Sequence, residues 1–131
     1  MIAHQILVVD DDSEDQMILA EYFAEFGYER CIKFTSNGRE AIDYLEKLDI
    51  VALPNLIVLD LNMPILNGTQ TLLQIKSNKD LKNIPVIIFS TSANENEKRK
   101  CLSFGALDYL VKPSNYADGK ALVQKFLSYI N

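Results

Sequence analysis

The sequence predicts an α/β fold: one domain built on a five-stranded parallel sheet with five helices on both faces, doubly wound. Three features predict it. Apolar runs such as Ile6-Leu7-Val8-Val9 and Leu56-Ile57-Val58-Leu59 are short, continuous and rich in β-branched residues, the pattern of strands buried on both faces. Between them lie segments with apolar residues at helical spacing and recognisable caps and stops. Strand and helix alternate in this way five times, which implies parallel strands joined by right-handed crossovers. The 131 residues suit a single domain that buries roughly two-thirds of its unfolded surface, and no repeat, low-complexity segment or linker divides them.

The first strand, Gln5–Val9, ends on Asp10, Asp11 and Asp12. Ser13-Glu14-Asp15 opens a helix, its first-turn carboxylates suited to the exposed amides there. Met17, Ala20, Phe23, Ala24 and Phe26 form the inward stripe, and Gly27 suits the stop. From Glu29 to Thr35 the pattern alternates around Cys31-Ile32-Lys33-Phe34, as expected of a strand at or near a sheet edge. Asn37 and Glu40 read as a capping box for a helix that turns Ala41, Ile42, Tyr44, Leu45 and Leu48 inward. Ile50–Pro54 is a short loop into the third strand, which ends on Asp60. Pro64 cannot continue the ladder, so the chain leaves the sheet in a loop.

Asn67-Gly68 marks a tight turn before a third helix that buries Leu72, Leu73 and Ile75. Ser77–Asn83 is a polar loop, and Pro85–Phe89 is the fourth strand, ending on Ser90-Thr91-Ser92. A helix from about Asn94 buries Cys101, Leu102 and Phe104 and stops at Gly105. Asp108–Val111 is the fifth strand and ends on Lys112-Pro113. A last helix turns Leu122, Val123, Phe126, Leu127 and Ile130 inward.

A net charge of −5 leaves no basic excess to neutralise phosphates, which argues against direct nucleic-acid binding. Lys98, Arg99 and Lys100 stand near Glu95 and Glu97 and read as a solvated helix face. Cys31 and Cys101 lie far apart without metal-ligand spacing and read as buried, reduced thiols. No apolar run approaches a membrane span and no signal segment opens the chain. The expected location is the cytoplasm.

In a parallel sheet every strand end named above lies on one edge, so Asp10, Asp11, Asp60, Ser90 and Lys112 gather there. Three crowded carboxylates raise one another's pKa unless a cation sits among them. A small set of hard oxygen ligands points to Mg²⁺, with Mn²⁺ as the variant. One lysine offers a point charge to phosphate oxygens, and a hydroxyl offers a hydrogen bond. The set can hold a metal and a phosphoryl group beside a nucleophilic carboxylate. There is no glycine-rich phosphate loop after the first strand, so a nucleotide is not the ligand.

Val9-Asp10-Asp11, then Leu59-Asp60-Leu61-Asn62-Met63-Pro64 with Asn67-Gly68, then Pro85–Ser90, then Gly105 to Tyr109-Leu110-Val111-Lys112-Pro113 together resemble the receiver domain of two-component response regulators. The resemblance covers residues 1–131 and implies the flavodoxin-like (βα)5 fold with no output domain, a stand-alone receiver closest in general appearance to those serving phytochrome kinases. It implies that Asp60 is the phosphoacceptor. Asp11 and Asp60 would bind Mg²⁺ directly, Asp10 through water, and the main-chain carbonyl of Asn62 would be the third protein ligand. Ser90 would be the switch hydroxyl, Lys112 the phosphate-contacting lysine and Tyr109 the aromatic that moves inward with the switch. The Lys112–Pro113 bond would be cis. The implied partner is a histidine kinase or a phosphotransfer protein, with a monomer or homodimer as the assembly and docking on the face around the first helix.

Within that resemblance, Ser90 replaces the commoner threonine, Ser114 stands where an apolar residue usually follows the Lys-Pro pair, and Ser92 is small and neutral. Met17, Leu19 and Tyr22 are candidates for partial exposure on the first helix, against a reading that puts all three in the core. Two rival functions remain at this stage. One is a phosphatase of haloacid-dehalogenase type, which would need a second acid where this chain has Asn62; the other is a degenerate receiver serving only as a binding module.

Overall fold

The computed structural model describes residues 4–63, 65–113 and 116–130; the expectations placed on Pro64 and Ser114 fall outside them. The elements are β1 (Ile6–Val9), α1 (Ser13–Glu25), β2 (Ile32–Thr35), α2 (Gly38–Glu46), β3 (Leu56–Leu59), α3 (Gly68–Ser77), β4 (Val86–Ser90), α4 (Glu95–Ser103), β5 (Asp108–Val111) and α5 (Tyr116–Ser128). The five strands form one sheet in the order β2-β1-β3-β4-β5, and every pairing is parallel. The expected architecture is therefore the observed one, with β2 at an edge as its alternating pattern required.

The continuous apolar runs divide between two cores. Leu7, Val9, Ile57, Leu59, Val86 and Ile88 point to one face, against Ala41, Ile42 and Leu45 of α2, Leu72 and Ile75 of α3, and Cys101 of α4. Ile6, Val8, Leu56, Val58, Ile87 and Phe89 point to the other, against Leu19, Tyr22 and Phe23 of α1 and Val123, Phe126 and Leu127 of α5. Side chains alternate along a strand, so a strand covered on both faces must be apolar throughout. Each fully enclosed leucine, isoleucine or phenylalanine contributes about 1.5–3 kcal/mol. This rigid double core fixes the strand ends, and the order of strands turns direction between β1 and β3, leaving a crevice at their carboxyl ends.

Several local expectations change. The buried face of α1 is Leu19, Tyr22 and Phe23, whereas Met17 is 65% exposed and Ala24 is also exposed. On the candidate docking face Met17 and Ile18 are thus open, and Leu19 and Tyr22 belong to the core. Asn67-Gly68 is not a free turn. Asn67 caps α3 in a reciprocal box with Gln70, and Gly68 is the first helical residue. At α2 the Asn37 side chain accepts from the Glu40 N–H, which is the forward half of the expected box. Leu73 and Leu102 lie outward and Thr71 fills the place beside Leu72. The Ile50–Pro54 loop contains a 3-10 turn, Ile50–Ala52. Cys101 is buried, Cys31 only half-buried, and both thiols are free. Among the described residues no helix is long and apolar enough to cross a membrane.

Candidate functional site

Asp10 follows β1 and Asp60 follows β3, two strands paired directly in the sheet, so their carboxyl groups emerge side by side. The pairing continues past the strands, since the Asp60 N–H donates to the Val9 carbonyl (2.9 Å) and the Asp10 N–H to the Thr35 carbonyl (3.0 Å). Asp10 is fully buried and Asp60 only 5% exposed, while Asp11 stands at the open rim. Each of the three offers a carboxylate oxygen within 4.8 Å of the others. Asp10 Oδ1 accepts from the Asp12 N–H at 2.9 Å, and Asp60 Oδ1 from the Asn62 N–H at 3.4 Å. Gln16 of α1 braces the site by donating to the Asp10 carbonyl.

Lys112, just past β5, reaches across the sheet edge into this cluster. Its Nζ lies 2.8 Å from Asp15 Oδ2, 3.1 Å from Asp10 Oδ2 and 3.4 Å from Asp60 Oδ2, and 5.2 Å from the centre of the Phe89 ring. The sequence reading gathered Asp10, Asp11, Asp60, Ser90 and Lys112 at this edge; the structure clusters the three carboxylates with one another and brings Lys112 onto Asp10 and Asp60, while Ser90 stands at the end of β4. Asp15 is the residue it missed, because its trace in the sequence is one more acidic residue in a helix's first turn.

Burial pushes Asp10 up to about 6, with the Asp60 charge adding to the shift and the Asp12 N–H and Lys112 opposing it. Burial also raises Asp60, opposed by Lys112 and the Asn62 N–H and reinforced by Asp11. For Lys112, burial works downward. The hydrogen bond it donates to Asp15 and the charges of Asp10 and Asp60 override it and hold the ammonium above its usual range. One cation among four carboxylates leaves excess negative charge in an all-oxygen donor set, and that suits a hard divalent ion.

Ser90 ends β4 with no exposed surface. Its Oγ accepts from the Ser92 N–H at 3.1 Å, and its carbonyl accepts from the Lys112 N–H at 2.7 Å, so the serine and lysine are coupled through the β4–β5 ladder. Tyr109 was expected to move inward; here it is already enclosed, 5% exposed. Its hydroxyl donates to the Ser92 carbonyl at 2.7 Å, with Glu97 Oε1 at 3.1 Å. The described residues contain no cis peptide bond, so Lys112–Pro113 is trans, contrary to expectation. The trans form is favoured by about 0.5–1 kcal/mol before proline, and Lys112 reaches all three carboxylates from it.

The sequence matches the response regulator receiver domain family over residues 6–124. The chain belongs to that family. Among curated relatives, the receiver is 32% identical over 126 residues to the probable methanogenesis regulatory protein FilR2 of Methanothrix harundinacea, covering 95% of this chain and 81% of that one. It is 32% identical over 127 residues to response regulator Rcp1 of Synechocystis sp., covering 95% and 86%. Among solved structures, the phosphorylated cyanobacterial phytochrome response regulator RcpA matches with a TM-score of 0.85 at 31% identity, covering 97% of this receiver and 94% of that chain. The Mn²⁺-bound form of Rcp1 matches with a TM-score of 0.81 at 32% identity, covering 94% and 91%. The receiver is thus a homologue of two-component signalling switches, and the phosphatase reading is not favoured.

Proposed function

We propose that Asp60 accepts a phosphoryl group from a phosphohistidine on a histidine kinase or phosphotransfer protein. The observation that carries this reading is the enclosed Asp60 carboxylate, set between Asp10, Asp11 and the Lys112 ammonium. An Asp60 oxygen attacks phosphorus; the new P–O bond forms as the P–N bond breaks, and its electron pair returns to the imidazole. Mg²⁺, or Mn²⁺, held by Asp10, Asp11, Asp60 and the main-chain carbonyl of Asn62, would supply neutralising charge to the transferring oxygens. Lys112 supplies a fixed positive charge beside the same oxygens, and the Ser90 hydroxyl donates a hydrogen bond to one of them. The chain catalyses its own acylphosphate formation and slow hydrolysis and turns over no separate substrate. Its likeness to RcpA favours a phytochrome-type kinase as donor. Two free thiols agree with a cytoplasmic location.

Intact mass after incubation with acetyl phosphate tests the reading. A gain of one phosphoryl group that needs Mg²⁺ is expected; no gain in its presence, together with no Mg²⁺ binding, would leave only the degenerate module.

Ser90→Ala is expected still to accept phosphate and to respond poorly. A hydrogen bond to a charged group contributes about 1.5–3 kcal/mol, so the population of the switched surface should fall about tenfold. Amide chemical-shift changes along α4 on phosphorylation measure this, and a full-sized response in the variant would remove Ser90 from the switch.

Metal binding should depend on pH through Asp10. A carboxyl group with a pKa of about 6 must lose its proton to hold the metal through its water, so Mg²⁺ should bind about tenfold more weakly at pH 5 than at pH 7.5. Without metal the sign reverses for stability. Between the ordinary value of 3.8 and about 6 the folded state binds more protons than the unfolded, so the metal-free fold gains stability as pH falls through that window. Calorimetric titration and metal-free melting at the two pH values check both signs.

A further inference from the structure

Asp15 holds the shortest contact to the Lys112 ammonium, and nothing in its own helix requires it to. The α1 cap is made by Asp12, whose side chain accepts from the Glu14 and Asp15 N–H groups, so the Asp15 carboxylate is left over from capping. It turns instead to a lysine 97 residues away, at 2.8 Å. Two ammonium hydrogens are thereby directed at Asp15 and Asp10, while Asp60 stands off at 3.4 Å without a hydrogen bond of comparable quality. Nζ is drawn toward α1 and away from the carboxylate it would serve.

We propose that Asp15 is a resting-state latch: a positioning residue that parks Lys112 on α1 and releases it when a phosphoryl group arrives on Asp60. This rests on the reading of Asp60 as phosphoacceptor. Of the two hydrogen-bonded partners, Asp10 is fully buried and Asp15 has a side chain 33% exposed. Water can replace lysine at Asp15 and cannot at Asp10, so the bond to Asp15 is the one that breaks when Nζ advances. Release leaves a bare carboxylate on α1, lining a groove of about 320 Å³ with Ile18, Tyr22, Phe89 and Pro113. The state of Asp60 is thereby written as one unit of charge on the first helix.

The test compares wild type, Asp15→Asn and Glu14→Gln, with two readouts. Glu14 shares the helix turn and the charge but is exposed and stands outside the Lys112 contacts, so it controls for net charge and for the helix dipole. Asp15→Asn should label about threefold faster with acetyl phosphate and Mg²⁺ and bind beryllofluoride about threefold more tightly, the size expected of a partly exposed ion pair. Glu14→Gln should match wild type in both. Labelling and binding of Asp15→Asn at or below the wild-type level would overturn the latch, as would an equal gain in Glu14→Gln. A wild-type protein that takes up neither phosphoryl group nor beryllofluoride would remove the phosphoacceptor reading itself, and the latch with it.

Discussion

Asp60→Asn is expected to gain no phosphoryl group at any concentration of acetyl phosphate, with or without Mg²⁺, and to melt no lower than wild type. The carboxamide keeps the shape of the side chain and loses the anionic oxygen that attacks phosphorus. The fold should tolerate it because the wild-type charge is held against the cost of burial, which raises the Asp60 pKa; the neutral amide escapes that cost. Lys112 keeps its hydrogen bonds to Asp10 and Asp15, so no buried cation is orphaned. Intact mass and a melting curve measure the two halves of the expectation. A variant that still gained one phosphoryl group would move the acceptor to Asp10 or Asp11.

Gly68→Ala should be the most damaging single methyl in the molecule's active edge. A Cβ there would drive into the Asp60 carbonyl oxygen and to within 2.5 Å of the Leu61 Cα, and both are backbone atoms with no rotamer to yield. The N–H of Gly68 donates to the Leu61 carbonyl at 2.9 Å, so α3 cannot back away without losing that bond. Overpacking of this kind costs about 2–3 kcal/mol, a fall of about 10 °C in Tm. Because the collision is with Asp60 itself, labelling should slow as well. Gly27→Ala is the contrast: its φ is +80° but nothing lies within 4 Å of the added carbon, so it should lose only about 1 kcal/mol and label normally. Equal losses of stability and labelling in the two variants would mean that the close approach to Asp60 has no special role.

The sheet and the strand-end cluster were legible because each strand carried a single message. Leu56–Leu59 is apolar at every position, which only a strand covered on both faces tolerates, and Asp60 at its end could lie nowhere but the ligand edge. The phase of α1 was not legible. Met17-Ile18-Leu19-Ala20 and Tyr22-Phe23-Ala24 put apolar residues nearly all round the helix, so periodicity could not choose a face. Packing chose it, by setting Leu19, Tyr22 and Phe23 against Val123 and Phe126. Gly68 looked like a turn former because glycine usually is one; its reason here is a close approach to Asp60 that no local pattern encodes. Asp15 was hidden for the same cause, since its partner Lys112 lies just past β5, 97 residues along the chain.

The enclosure of Tyr109 bears on the gain of the receiver, the change in output per phosphoryl group. With its ring already 5% exposed and its hydroxyl satisfied by Ser92, the tyrosine has almost no surface left to bury and so lends phosphorylation little driving force. A swing from one per cent to ninety-nine per cent occupancy of the output conformation needs about 5.5 kcal/mol of preference, more than one serine hydrogen bond of about 1.5–3 kcal/mol supplies. With Ser90 as its switching contact, the receiver is therefore expected to work over a narrow dynamic range with an appreciable basal output. Downstream, such a component suits graded reporting of donor supply better than an all-or-none threshold.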